Sequence, residues 1–134
     1  SRDIGIEFGD ISAHSLNMND EGILTHPFFV QLMGCSIVIK GNAENQYPFA
    51  NVTFIGDTSA SDPTALLTNG DADGVGIRLR DQYGEILTLG KPSPGYELSD
   101  EDNILKFTAS LIPVKQHIKT GEFYATARFF IDYN

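Results

Sequence analysis

Tryptophan is absent from this 134-residue chain, cysteine occurs once, and 9 basic side chains stand against 18 acidic ones. One cysteine supplies neither a disulfide framework nor a zinc site of paired thiols. The formal net charge of −9, with its Lys and Arg scattered along the chain, excludes nucleic acid and an anionic membrane surface as main partners, because phosphate binding relies on clustered basic residues. No apolar run approaches the ~18 residues that span a bilayer. Gly-rich phosphate loops, Gly-x-Ser-x-Gly elbows and His or Cys pairs at metal-ligand spacing are all missing. The chain is therefore expected to be no enzyme and to carry no cofactor. It opens with Ser1-Arg2-Asp3 instead of Met and a basic, then apolar, leader, so it reads as a mature, processed or trimmed polypeptide.

What is present is a period of two. Ile4, Ile6 and Phe8 alternate with Gly5 and Glu7; Phe28, Val30 and Leu32 alternate around Gln31; Val52 and Phe54 flank Thr53; Val75, Ile77 and Leu79 alternate with Gly76 and Arg78. The pattern continues at Ile86–Leu89, through Leu105, Phe107, Ala109 and Leu111, and along a final run from Glu122 to Tyr133. Such alternation marks half-buried strands, seven or eight in number. Turn chemistry separates them: Gly56-Asp57, Asn69-Gly70, Asp73-Gly74, Tyr83-Gly84, Lys91-Pro92-Ser93-Pro94-Gly95 and Thr120-Gly121. The stretch Asp62-Pro63-Thr64-Ala65-Leu66-Leu67 fits one short helical turn, with Pro after an Asp cap. Short strands with Gly and Pro between them predict one all-β sandwich domain, large enough to bury roughly two thirds of its unfolded surface.

Several segments invite a chemical reading and resolve into a plainer one. Asn69-Gly70-Asp71-Ala72-Asp73-Gly74 resembles the first half of an EF-hand loop, but its twelfth position is Arg80 instead of a bidentate Glu and the residues after it read as a strand. A polar turn between strands is the better account. The acidic run Ser99-Asp100-Glu101-Asp102-Asn103 holds adjacent carboxylates that point in different directions, not a pair facing across a cleft. Asn51-Val52-Thr53 is formally a glycosylation acceptor, yet the alternation puts it in a strand. Cys35 suits a buried small hydrophobe, a nucleophile or half of a disulfide, and His14, His26 and His117 lie in segments without a catalytic motif.

The last fourteen residues, from Gly121 to Asn134, are the most informative. Phe123, Ala125, Ala127, Phe129, Ile131 and Tyr133 share one face; Glu122, Tyr124, Thr126, Arg128, Phe130 and Asp132 share the other. Typical strands run about five or six residues, and a long apolar edge invites pairing with another chain. A Gly fourteen positions from the end, alternating apolar residues after it and a penultimate Tyr resemble the C-terminal signature of pilus subunits assembled by the chaperone–usher pathway of Gram-negative bacteria. Phe28-x-Val30-x-Leu32-x-x-Cys35 is similar to the strand that leads to the family's second cysteine, and Val52-x-Phe54-x-Gly56 to the strand after it. Gly74-Val75-Gly76-Ile77-x-Leu79-x-Asp81-x-x-Gly84 and Phe107-x-Ala109-x-Leu111 resemble its central strands.

The resemblance implies an incomplete immunoglobulin-like sandwich, the pilin fold lacking one strand, with an apolar groove in the missing strand's place. Filling such a groove with four or five large side chains at roughly 1.5–3 kcal/mol each is on the order of 10 kcal/mol, comparable with the ~5–15 kcal/mol stability of a domain. The strand that fills it becomes part of the fold. Implied partners are a periplasmic pilus chaperone, an outer-membrane usher and adjacent pilus subunits, with a host glycan or receptor met only through the assembled pilus. The implied location is the fimbrium on the cell surface, reached through the periplasm. One groove wall and chaperone contact would be Phe123, Ala125, Ala127, Phe129, Ile131 and Tyr133, with Ile4, Ile6 and Phe8 opposite. The Asn134 carboxylate would anchor in a basic chaperone pocket, and Gly121 would start the strand and let a partner backbone approach. Cys35 would be half of a disulfide. Family members begin with an N-terminal extension of alternating apolar residues and a first Cys; this chain starts just before Ile4 with neither, so it is expected to be a single pilin domain, residues 1–134, from a fragment or trimmed subunit. The alternatives are the C-terminal pilin domain of a tip adhesin and a free-standing secreted sandwich that binds carbohydrate through Tyr47, Tyr83 and Tyr96.

Overall fold

The computed structural model describes residues 2–11, 25–35, 49–99 and 101–133, with 2–11, 33–35 and 101 described by their backbone. Ten strands follow one another: β1 (Arg2–Ile11), β2 (Thr25–Cys35), β3 (Phe49–Ile55), β4 (Thr58–Ser59), β5 (Asp62–Leu67), β6 (Asn69–Gly70), β7 (Val75–Asp81), β8 (Tyr96–Glu97), β9 (Glu101–Pro113) and β10 (Gly121–Tyr133). Among the described residues there is no helix. Every pairing is antiparallel, in two sheets: β1-β10-β3-β8, with β6 also along β10, and β2-β9-β7-β5-β4.

Alternation explains which faces meet. Phe54 of the first sheet and Phe107 of the second are fully buried and pack edge to face with ring centroids 5.1 Å apart. Phe28 stacks on Phe107 at 5.5 Å, and Phe129 tilts against Phe54 at 6.0 Å. Edge-to-face and offset geometries of this kind suit the quadrupoles of the rings. Val52, Leu66, Ile77 and Leu79 are the other large side chains that are fully buried among the described residues.

The strands expected from the period of two form at the expected places except Ile86–Leu89; ten strands form instead of seven or eight, and Asn69-Gly70, expected as a turn, is β6. Asp62–Leu67 is a strand, not a helical turn. Asp62 does act as a local cap, accepting from the Thr64 amide at 2.9 Å and from its hydroxyl at 2.5 Å. The chain nevertheless stays extended, because Ala65, Leu66 and Leu67 pair with Arg78, Ile77 and Gly76 of β7 and Leu66 is buried there. Sheet pairing and burial override local propensity. Ile86–Leu89 is not a strand; it retains a single bridge, Arg80 to Ile86. This segment crosses between the sheets, its amides donating in turn to carbonyls of each: Leu87 to Leu79 at 2.8 Å, Leu89 to Pro63 at 3.0 Å and Gly90 to Phe54 at 2.7 Å. Leu87 and Leu89 are buried and belong to the core cluster between the sheets. Beyond them Ser93 covers the outer edge of β3, its amide donating to Val52 O at 2.9 Å and its Oγ accepting from Val52 N at 2.8 Å.

Candidate functional site

β10 is an interior strand of its sheet. On one side it pairs with β1 over Gly121 to Phe129, from Ile11↔Gly121 to Arg2↔Phe129. On the other it pairs with β6 at Phe123 and Tyr124 and with β3 from Arg128 to Tyr133. Its faces follow the alternation: Phe123, Ala125, Ala127 and Phe129 are buried, while Glu122, Tyr124, Thr126 and Arg128 are exposed. The inward row rises out of the core at its end. Ile131 is half-buried against the core, and Tyr133 is 48% exposed opposite Ala50 of β3.

The structure brings together the two segments expected to face each other across a groove, and it brings them into direct pairing. Ile4 stands opposite Ala127 and Ile6 opposite Ala125, with no strand between them. Phe8 falls in a β-bulge, the register passing from Glu7↔Tyr124 to Gly9↔Phe123. A bulge of this sort adds one unpaired residue and bends its strand. In this form the seam from Gly121 to Phe129 is closed.

Gly121 does permit a close approach, and the approaching chain is its own. Its φ is +144°, and a Cβ there would stand 2.9 Å from Asp71 Cβ and 3.3 Å from the Ala72 amide nitrogen. The turn after β6 clasps the start of β10, the Asp71 and Ala72 amides both donating to Glu122 O at 2.8 and 3.1 Å. Gly70, with φ +115°, is needed for the same contact, since its Cβ would lie 2.5 Å from Glu122 O. The EF-hand-like segment thus serves as a clasp. Asp73 pairs with Lys115 Nζ at 3.3 Å, which together with the Gly74 amide holds its carboxyl below the usual carboxylate range. Among the described residues no three His, Cys, Asp or Glu side chains are placed to hold a metal ion.

The remaining candidates separate from β10. Cys35 ends β2, opposite Glu101 after a register shift, and Asn134 lies outside the described residues. In the acidic run, Asn103 ties the turn, its Oδ1 accepting from the Ser99 amide at 2.9 Å and its Nδ2 donating to Ser99 O at 2.8 Å. Of the tyrosines suited to stacking on sugar, Tyr83 is exposed, Tyr96 is buried and Tyr47 lies outside the described residues. A surface hollow of about 420 Å³ between the β4–β5 hairpin and residues 113–116 includes Asp62 and Lys115, but Asp62 is engaged by Thr64 and Arg78 and Lys115 by Asp73. What sequence reasoning missed is the tie between Tyr96 and Asp81, because residues fifteen apart in loop-flanked segments carry no periodic signal.

Comparison with known proteins bears on the same architecture. The family model described as fimbrial protein matches residues 1–134. The chain is 28% identical over 138 residues to the uncharacterized fimbrial-like protein YgiL of Escherichia coli strain K12, covering 98% of this chain and 73% of the relative. Among solved structures, the P pilus rod subunit PapA superposes with a TM-score of 0.80 at 23% identity, over 96% of this chain and 91% of that one. A subunit in the structure of a chaperone–usher pilus superposes with a TM-score of 0.77 at 23% identity, over 96% and 80% of the two chains. These solved structures share the fold.

Proposed function

The chain belongs to the fimbrial protein family, the structural pilus subunits of chaperone–usher type, and from that premise we propose that it is held and handed on by β-strand addition along β10. A periplasmic chaperone lends a strand first, an outer-membrane usher receives the subunit, and a neighbouring subunit's strand takes the chaperone's place. The observation that carries this reading is the position of β10: thirteen residues long, buried along one face and fastened to β3 at its far end. Its other edge, among the described residues, meets β1, a strand with Gly5 and Gly9 and a register shift between Glu7 and Gly9. A strand added there gains the full ladder of backbone hydrogen bonds and contact with the row Phe123, Ala125, Ala127 and Phe129. Ile131 and Tyr133, emerging from the core, extend that row toward the chaperone, and the Asn134 carboxylate supplies a terminal charge for a basic pocket. Cys35 serves as half of a disulfide.

The test is production in a periplasm with and without a pilus chaperone, followed by size exclusion and thermal melting. Monodisperse, cooperatively folded protein only in the chaperone's company is the expected result. A stable lone monomer indifferent to the chaperone refutes strand addition. Tyr133→Ala is expected to lower recovery of the chaperone complex several-fold, and equal recovery of both forms removes Tyr133 from the contact.

A further inference from the structure

The pairing of β1 with β10 covers the edge at which the site just proposed would receive a strand. We infer that β1 is a closing strand: it seals the capture edge of β10 in the unpartnered chain and must release that edge before another strand can pair there. This rests on the strand-addition reading and adds a closed state to it. Nine register pairs join the two strands, so an incoming strand cannot reach Gly121–Phe129 while they hold. Adjacent strands lie about 4.8 Å apart, which leaves no room for a third between them.

The two edges of β10 differ in the strands that line them. On the β3 side, Val52 and Phe54 are buried opposite Ile131 and Phe129, and the Ser93 segment backs β3 from beyond. β1 holds Gly5 and Gly9 in ten residues and breaks register at Phe8. Glycine within a strand adds conformational freedom and packs no side chain, and a bulge leaves one residue unpaired. In the proposal the seam parts at β1, where the glycines and the bulge lie. Closure also protects the chain, because an uncovered edge of this length is a template for aggregation.

A disulfide across the seam tests this. Gly5 and Thr126 are register partners; directly opposed Cα atoms lie about 4.5–5.5 Å apart, within disulfide reach. The full chain carrying Gly5→Cys and Thr126→Cys in a Cys35→Ser background is compared oxidised and reduced, with Asp3→Cys and Arg128→Cys as a second pair. The probe is a fluorescein-labelled synthetic peptide of residues 2–11, which carries the pattern that β10 already accepts, read by anisotropy. Capture by the reduced chain, and about tenfold or greater loss of capture on oxidation, are expected, since the bond removes the open population. Equal capture in both states overturns the closing role of β1 and leaves strand addition standing. Failure of both pairs to oxidise overturns the closed register itself. Absence of capture in either state, with the bond formed, overturns strand addition at β10 and the inference with it. In the unmodified chain, amide exchange across residues 2–11 should accelerate when the peptide binds; unchanged protection there also overturns the inference.

Discussion

The Tyr96 hydroxyl donates to Asp81 Oδ2 at 2.9 Å, joining β8 of the first sheet to the end of β7 in the second. Both side chains are buried, and the carboxylate is otherwise satisfied by the loop it caps: Oδ1 accepts from the Tyr83 and Glu85 amides at 2.9 Å each. One carboxylate thus shapes the Tyr83-Gly84 turn and fastens the two sheets at that end. The Tyr96 ring packs edge to face on Phe107 at 6.1 Å, so the polar tie extends the aromatic core.

Tyr96→Phe keeps the ring and removes the donor to a buried charged group. A loss of about 1.5–3 kcal/mol is expected. Urea unfolding checks it: the midpoint should fall while the slope stays constant, since the compactness of neither state changes.

The same pair predicts an alkaline limit. Burial, and to a smaller degree the neighbouring Asp81, push the Tyr96 phenol well above its ordinary value. Above the ordinary tyrosine pKa of about 10 the unfolded chain releases this proton while the folded one keeps it, so the unfolded state is favoured. The stabilisation is complete below that pH and is lost as pH climbs toward the folded pKa. Tyrosinate absorbance should show one phenol ionising only as the fold is lost, and Tyr96→Phe should remove that step.

The core and the outer face should answer mutation differently. Phe54→Ala empties the centre of the aromatic cluster and is expected to cost about 3–5 kcal/mol. Phe29, on the outer face of β2 and 60% exposed, should change stability by no more than ~0.5 kcal/mol on conversion to Ala. Thermal melting of the two variants distinguishes them, and similar losses would contradict the placement of Phe54 between the sheets.

Gly121→Ala meets both a positive φ and the backbone of Asp71 and Ala72. A non-Gly residue held in a sparsely populated region costs on the order of 1–3 kcal/mol, before any shift of the turn. Amide exchange at Asp71 and Ala72, which both bond to Glu122 O, should rise selectively if the clasp is what Gly121 permits.

Sequence alone determined most of the long strands and the faces of β2, β7, β9 and β10. Alternation at Phe28–Val30–Leu32, Val75–Ile77–Leu79, Leu105–Phe107–Ala109 and Phe123–Ala125–Ala127–Phe129 reports which side chains leave water, because a strand's side-chain period is two wherever it lies. Turn chemistry at Tyr83-Gly84 was legible for the same local reason, whereas Asn69-Gly70, expected as a turn, is the short strand β6 laid along β10. The length and pattern of β10 likewise singled it out as the candidate site. Tertiary structure decided what lies beside each strand. Nothing in Asp62–Leu67 announces that β7 will hold it extended, nothing in residues 86–90 announces that their amides serve both sheets, and nothing in Ile4–Ile6 or Ala125–Ala127 announces that these rows pair directly. Hydrogen bonds between strands join backbone groups common to every sequence, so neighbour and register follow from what the whole domain can bury together.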